Sequence, residues 1–496
     1  MDAIELQLLA GALRSACEEM GAVLIRAAHS PNIKERRDAS TALFDAAGEM
    51  VMQAEHIPVH LGAMPAAVAA IRALPLIRGR AYVLNDPYRG GTHLPDITVV
   101  LPIWTDDPGP APIGFAAARA HHADVGGPTP GSMPADSRTL ADEGVVIAPR
   151  ELDEAAIDEI VLQMREPSQR RADLRAQLAS CRVGARRLVE LHGRLGGTRL
   201  AAGLAAVLDY AERRTRACIA ALPDGTLTAR DALEAPDGGE LPIVVRATVA
   251  GDRMTLDFTG TAPQHGGNLN CPLAVTRSAC YFALRVLTDP DIPPCAGAYR
   301  PLTVIAEPGS LLHARSPAAV AAGNVETSSR VADVVLEAFG RACGQGTMNN
   351  LTLGDERSVY YETIGGGQGA CVDADGPSAV HVAMSNTLNT PIEALELEYP
   401  LRMLEYALRR GSGGAGAHRG GDGVVRELQA LAPLTYSLIT ERRRLAPPGA
   451  AGGLPGQPGR NLLDGRELPA KSVGDLRPGQ RLRIETPGGG GYGRVR

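Results

Sequence analysis

Between Asn85 and Glu143 short apolar runs alternate with loops that carry reactive side chains, and this alternation constrains the fold more than any other stretch. It opens with Asn85-Asp86-Pro87-Tyr88-Arg89-Gly90-Gly91-Thr92-His93-Leu94-Pro95-Asp96. The strand-like run Ile97 to Trp104 follows. A second apolar stretch delivers Arg119-Ala120-His121-His122-Ala123-Asp124-Val125-Gly126-Gly127, and Gly131-Ser132-Met133-Pro134 and Glu143-Gly144 close the region. Both apolar runs read as neighbouring buried strands. Imidazole and carboxylate together suit a divalent transition metal, bound by neutral His and ionised Asp. His93 and Asp96 are three apart in a Gly/Pro loop. His122 and Asp124 are two apart, so on extended backbone they share a face and can point at one ion. The ordinary alternative is a turn-capping His93, a strand-capping Asp96 and a satisfied core His122.

Composition sets limits on the rest. A chain of 496 residues has room for two or three domains and a large core. A formal charge of −6, a pI near 6.0 and only 3% aromatics exclude a basic nucleic-acid surface and base-stacking platforms. The eight cysteines are scattered and form no CxxC, which fits a reducing compartment better than a disulfide framework. Asp2, Glu5, Glu18 and Glu19 exclude a signal peptide, and no apolar run approaches the roughly 20 residues needed to span a bilayer. The expectation is a cytoplasmic protein that binds neither nucleic acid nor membrane.

In chain order, residues 2 to 28 read as a helix with Asp2 as its cap. The charged run Glu35-Arg36-Arg37-Asp38 leads into a strand from Thr41 to Asp45. Its bland reading is a solvated helix end; the sharper one places Asp38 in the polar site of His93 and His122. His56 and His60, on a Pro-containing loop, are either pocket-lining residues or loop hydrogen-bonders. Helices are expected over Met64 to Leu74, Glu151 to Met164, 170 to 192 and 198 to 222. Beyond Pro223-Asp224-Gly225 the pattern turns to β. Leu241 to Val249 and Met254 to Phe258 form a hairpin through Gly251-Asp252, and Glu326 to Ser329 read as the cap of a helix from Val331 to Phe339. Three glycine-rich stretches (Gly365 to Gly369, Gly411 to Gly416, Gly488 to Gly491) lack the phosphate-binding forms GxxxxGK[ST] and GxGxxG, and read as tight loops over a shared cavity. The fold class is therefore mixed α+β and multi-domain. A helix-rich N-terminal half with short buried strands occupies 1–225, a β-rich half with glycine-rich loops 226–445, and a small C-terminal β segment packing back on the body 446–496.

Taken together these runs resemble the hydantoinase B/oxoprolinase family. The matching residues are Glu35-Arg36-Arg37-Asp38-Ala39-Ser40, His56-Ile57-Pro58-Val59-His60-Leu61-Gly62, Asn85-Asp86-Pro87 and Gly91 to Asp96. They continue through His121 to Gly127, Pro130 to Met133, Glu143-Gly144, Asp257 to Thr261, Gly365 to Gly369, Asn389 to Glu393, Gly420 to Gly423 and Pro487 to Gly491. Ala39, Thr41 and Cys295 depart from the residues usual there, so substrate-pocket details do not carry over.

The resemblance implies an ATP-dependent hydrolase of cyclic amides such as hydantoins, 5-oxoproline or lactams. In such a system an A-type partner subunit binds ATP and Mg²⁺ and phosphorylates the carbonyl oxygen, within a hetero-oligomer. It implies a divalent metal (Zn, Mn or Fe) on His93, Asp96, His122 and Asp124, with Asp38 as a further ligand or a base behind them. Glu143 would move protons to the ring nitrogen, and Arg36 would hold the phosphate by a bidentate contact. His121, His60, Asn85 and Gly366 are the implied substrate contacts. The alternatives are a subunit of a ketone carboxylase and a non-catalytic structural subunit.

Overall fold

In the computed structural model, which describes residues 1–55, 57–106, 109 and 111–495, the reactive stretch lies in a six-stranded antiparallel sheet. Its strands are β1 (Ala39–Asp45), β2 (Met50–Glu55), β3 (Ala81–Leu84), β4 (Asp96–Ile103), β5 (Gly114–His121) and β6 (Arg150–Leu152), in the spatial order β2-β1-β5-β4-β3-β6. All residues of β4 and β5 are buried, which accounts for their continuous apolar character. His56 lies outside the described residues.

One face of this sheet packs on the helix Ala3–Ala27, capped by Asp2, and on the long helix Pro167–Leu195. The contact is intimate: Thr41 donates to the Cys17 carbonyl at 2.7 Å, and a Cβ on Gly184 would stand 2.4 Å from the Met20 sulfur. The opposite face carries the helix Met64–Arg72 and a polar stripe that includes Ser40, Thr98 and Arg119. Where a helix is expected from Glu151, the chain first completes β6 and starts the helix at Glu154, capped by Asp153.

The remaining strands form three further sheets. β7 (Gly225–Glu234), β8 (Glu240–Ala250), β9 (Arg253–Asp257) and β10 (Leu302–Ile305) make one, with β8 and β9 joined as the expected hairpin. β11 (Asn350–Gly354) and β12 (Val359–Glu362) pair antiparallel; β13 (Leu401–Arg409) and β14 (Gly423–Ala430) start another sheet. β15 (Leu434–Ile439), β16 (Arg460–Leu463), β17 (Arg466–Glu467), β18 (Lys471–Leu476) and β19 (Arg481–Glu485) complete them, in the orders β12-β11-β15-β18 and β13-β14-β19-β16-β17. Glu326 does not cap the following helix. It lies in a π turn, Gly323–Thr327, that runs straight into the helix Ser328–Ala338.

The glycine-rich stretches pack on one another, backbone against backbone. Gly489 N–H donates to the Gly421 carbonyl, Gly421 N–H to Gln368, Gly414 N–H to Gly489 and Gly490 N–H to Cys343, all at 2.8–2.9 Å. A Cβ on Gly413 would stand 1.9 Å from the Gly420 carbonyl oxygen, and one on Gly489 2.0 Å from that of Gln368. Such separations admit glycine alone. All eight cysteines are free thiols, and among the described residues no helix is long and apolar enough to cross a membrane.

Candidate metal centre

Antiparallel register assembles the centre. β4 begins at Asp96 and β5 ends at His121, and these two residues stand directly opposite each other. Paired residues project to the same face of a sheet. Asp38 sits at the entry to β1, where its carbonyl accepts from the His121 N–H at 3.0 Å. His93 arrives from the loop that feeds β4. His93 Nε2 lies 3.2 Å and His121 Nδ1 3.4 Å from one Asp96 oxygen. His60, on the turn Pro58–His60, brings its Nε2 to 3.4 Å from the other. Thr92 donates to that second oxygen at 2.6 Å, and Ser40 Oγ lies 2.9 Å from His60 Nδ1.

His93, Asp96 and His121 each offer a ligand atom, all within 4.8 Å of one another. The donor set suits a divalent cation. His93 Nδ1 and His121 Nε2 are buried without a hydrogen-bond partner, an arrangement that costs about 1–3 kcal/mol per group unless something fills it. Burial lowers the basicity of His121, with the Asp96 and Asp38 charges opposing, so the imidazole is kept in its neutral, ligating form. Burial alone would raise Asp96, but His93, His60 and the His121 contact hold it well below the carboxylate range.

Strand alternation sends His122 the other way. Its side chain turns to the helical face, where Nε2 donates to Gln177 Oε1 at 2.9 Å. The Gln177 amide in turn donates to the Ile97 and Ala118 carbonyls. Burial pushes His122 down to about 4, against the pull of Asp173. Asp124 is spent as a loop staple, accepting from Gly126, Gly131 and Arg165 backbone N–H groups and from the Arg165 guanidinium at 2.9 Å. The cluster that could hold a metal therefore contains His121 in place of His122, and Asp124 lies apart from it. The i, i+2 spacing of His122 and Asp124 gave no information on which face Asp96 occupies.

Asn85 stitches the loop below the centre: it donates to the Leu94 and Val145 carbonyls and accepts from Ile147 N–H at 2.6 Å. Gly366 has its N–H on the Val380 carbonyl, and a Cβ there would collide with the Gln345 amide at 2.0 Å. The N–H groups of Gly367 and Gln368 are likewise taken by Pro487 and Pro377, so none of the three is free to receive an anion.

Several residues of the centre come from distant parts of the chain. The Tyr361 ring, on β12, stacks on His121 with centroids 4.5 Å apart. Arg36, fully buried, lies over the same ring at 4.7 Å and donates to the Tyr361 carbonyl and to Thr363. Its terminal nitrogens are occupied, so it offers the centre a positive charge more than a free fork of donors. Glu143 accepts from Ser137 and from the Val320 and Ala321 N–H groups that open the next helix. Burial lifts it to about 7, with those donors and His93 opposing. Beside Asp96, Arg119 donates to Thr98 at 2.7 Å and to the Gly90 carbonyl, and burial lowers it to about 10. Tyr361 carries no local motif; only β12 packing against the first sheet reveals it. Arg119 was legible, since β5 alternation puts it on the His121 face.

Residues 2–495 match the family described as hydantoinase B/oxoprolinase. The 5-oxoprolinase 1 of Arabidopsis thaliana is 38% identical over 99% of this chain, which spans 42% of the plant protein's length. A putative D-/L-hydantoinase subunit, the B-type one, of Pseudomonas sp. strain NS671 is 30% identical, with 99% and 90% of the two chains covered. The ATP-dependent caprolactamase from Pseudomonas jessenii superposes with a TM-score of 0.93 at 28% identity, covering 100% of this chain and 91% of that one. The chain thus belongs to the hydantoinase B/oxoprolinase family.

Proposed function

We propose that this chain is the hydrolytic, metal-holding subunit of an ATP-dependent cyclic-amide hydrolase. One observation carries the reading: buried His and Asp ligand atoms converge at one end of a sheet, with one imidazole nitrogen each of His93 and His121 lacking a hydrogen-bond partner, in a chain related to enzymes named for 5-oxoproline, hydantoin and caprolactam. His93, Asp96 and His121 would hold a divalent ion (Zn, Mn or Fe), with Asp38 beside His121. A cation in that position supplies Lewis acidity, the chemistry that makes water nucleophilic near neutral pH. His60 and Thr92 fix the Asp96 carboxylate, and Tyr361 holds the His121 ring plane. The Arg36 charge favours the anionic, phosphorylated substrate. Glu143, near 7, is poised to pass a proton toward the ring nitrogen as the C–N bond breaks.

An unstrained amide resists water, and converting its carbonyl oxygen to a phosphate ester creates a leaving group. The Pseudomonas relative named as one subunit of a hydantoinase supports a multi-subunit enzyme, and the glycine segments' spent amides support leaving ATP and Mg²⁺ to an A-type partner. The test is reconstitution with such a partner. Lactam-dependent ATP turnover is expected with at least one of 5-oxoproline, hydantoin or caprolactam, and ring opening should be lost when this chain is stripped of its metal before reconstitution in Mg²⁺ and return when zinc, manganese or iron is restored to it. ATP turnover that instead depends on bicarbonate and acetone would transfer the chain to ketone carboxylation.

A further inference from the structure

Ser137 is the inward-facing residue of a surface segment: Asp136 and Arg138 on either side are exposed, while Ser137 is buried. An antiparallel bridge between Thr139 and Ala318 holds this segment beside Val320 and Ala321, the two residues whose N–H groups reach Glu143. Ser137 Oγ donates to Glu143 Oε1 at 2.9 Å and accepts from the Asn268 amide at 3.2 Å. A hydroxyl oxygen has two lone pairs, and among the described residues no second donor reaches this one.

Ser137 and Asn268 also form part of the wall of a cavity of about 490 Å³. Asp136, Arg138 and Asp237 stand on the same wall and are exposed, so the cavity opens to water. Glu143 is absent from that wall. It is fully buried, and the His93 charge acts on it. A buried acid that gives up a proton in each turnover must recover one before the next. Among the described residues Ser137 is the one side chain that both hydrogen-bonds this carboxyl and lines the cavity.

We propose that Ser137 relays protons from water in this cavity to Glu143. The proposal rests on the cyclic-amide reading above, in which Glu143 gives one proton to the ring nitrogen as the C–N bond breaks. The carboxylate left behind takes the Ser137 proton at Oε1. Ser137 Oγ takes a proton from a hydronium ion or a protonated buffer molecule in the cavity, which departs as water or as the free base. One O–H bond breaks and one forms at Oγ, so the serine ends the cycle unchanged. Ser137 touches neither ring nor metal. It is a positioning residue, and it sets the path by which Glu143 is reloaded.

The reconstituted enzyme tests this, with whichever of 5-oxoproline, hydantoin and caprolactam it opens fastest. Ser137→Ala is expected to lower kcat about tenfold, a part of the roughly 10²–10⁴-fold that general acid–base catalysis supplies. KM, zinc content and thermal midpoint should not change. The first turnover, begun with Glu143 already protonated, should run at the wild-type rate, because only later turnovers wait for the proton. The solvent deuterium isotope effect on kcat should rise for the same reason. Ser137→Thr, which keeps the hydroxyl, should keep most of kcat. Ser137→Cys, close to serine in size but a weak donor, repeats the comparison if the alanine chain is unstable. Undiminished kcat in the chains lacking the hydroxyl, or a first turnover slowed as much as kcat, overturns the proposal while sparing the cyclic-amide reading. Failure of the reconstituted wild type to open any of the three rings overturns both.

Discussion

Replacing His121 with alanine is expected to remove the divalent metal from the purified chain, lowering affinity by at least about 100-fold, and to abolish lactam turnover by the reconstituted enzyme. His122→Ala, one residue further on, should leave metal content intact. The contrast follows from β-sheet geometry: His121 pairs with Asp96 across β4 and β5, whereas His122 projects to the opposite face and donates to Gln177. Loss of His122 strands the Gln177 oxygen in a buried site, so its cost appears as stability, about 1–3 kcal/mol. Elemental analysis of the two variants beside the wild type separates these outcomes. Metal lost from His122→Ala and retained in His121→Ala would relocate the centre to the helical face.

The second large effect concerns Glu326. This side chain is fully buried in the π turn, with Oε1 accepting from Met348 N–H at 3.1 Å and from Asn350 at 3.3 Å, and Oε2 without a partner. Burial raises it to about 8, helped by the neighbouring Glu441 charge. Below the unfolded value near 4.5 the carboxyl is protonated in both states, and its folded environment costs nothing extra. Between 4.5 and 8 the unfolded chain releases the proton while the folded chain keeps it, so stability declines as pH rises, levelling off above 8. The loss should be on the order of 3–5 kcal/mol across that window. Glu326→Gln removes this term and should be the more stable protein at about pH 8, with the two converging near pH 4.5. Urea midpoints at intervals between about pH 5 and 8 measure the difference, and parallel curves would show that Glu326 is ionised in the folded protein. The consequence reaches the centre, because Asn350 accepts the Tyr361 hydroxyl at 2.7 Å and Tyr361 stacks on His121.

Much of this was legible in the chain and some was not, for physical reasons. Helix periodicity and the Asp2 cap placed the helix Ala3–Ala27 closely, and the Gly251-Asp252 turn declared the β8–β9 hairpin. Local spacing also singled out His93 and Asp96. Between His121 and His122 it pointed to His122, whereas the cluster contains His121. That choice depends on strand parity relative to β4, which is set by register across a pairing rather than by residues within one strand. Tyr361 and Arg36 meet across 325 positions, and no local pattern encodes such a contact. Asn85 and Asp124 look like site residues because polar side chains in glycine loops do two jobs; here their hydrogen-bonding capacity is consumed in holding the loops.

The packed glycine segments carry a genetic consequence. A core built of side chains tolerates drift, because truncations and swaps leave room for neighbours to settle. A core built of bare backbone has no smaller residue to fall back on. Every base change that replaces a glycine adds at least a Cβ, and at Gly413 or Gly489 that atom would overlap a neighbouring carbonyl at about 2 Å. Such positions have no conservative replacement. The stretches from Gly365 to Gly369, Gly411 to Gly421 and Gly488 to Gly491 should therefore change more slowly among descendants of this gene than the loops that carry His93 and His121.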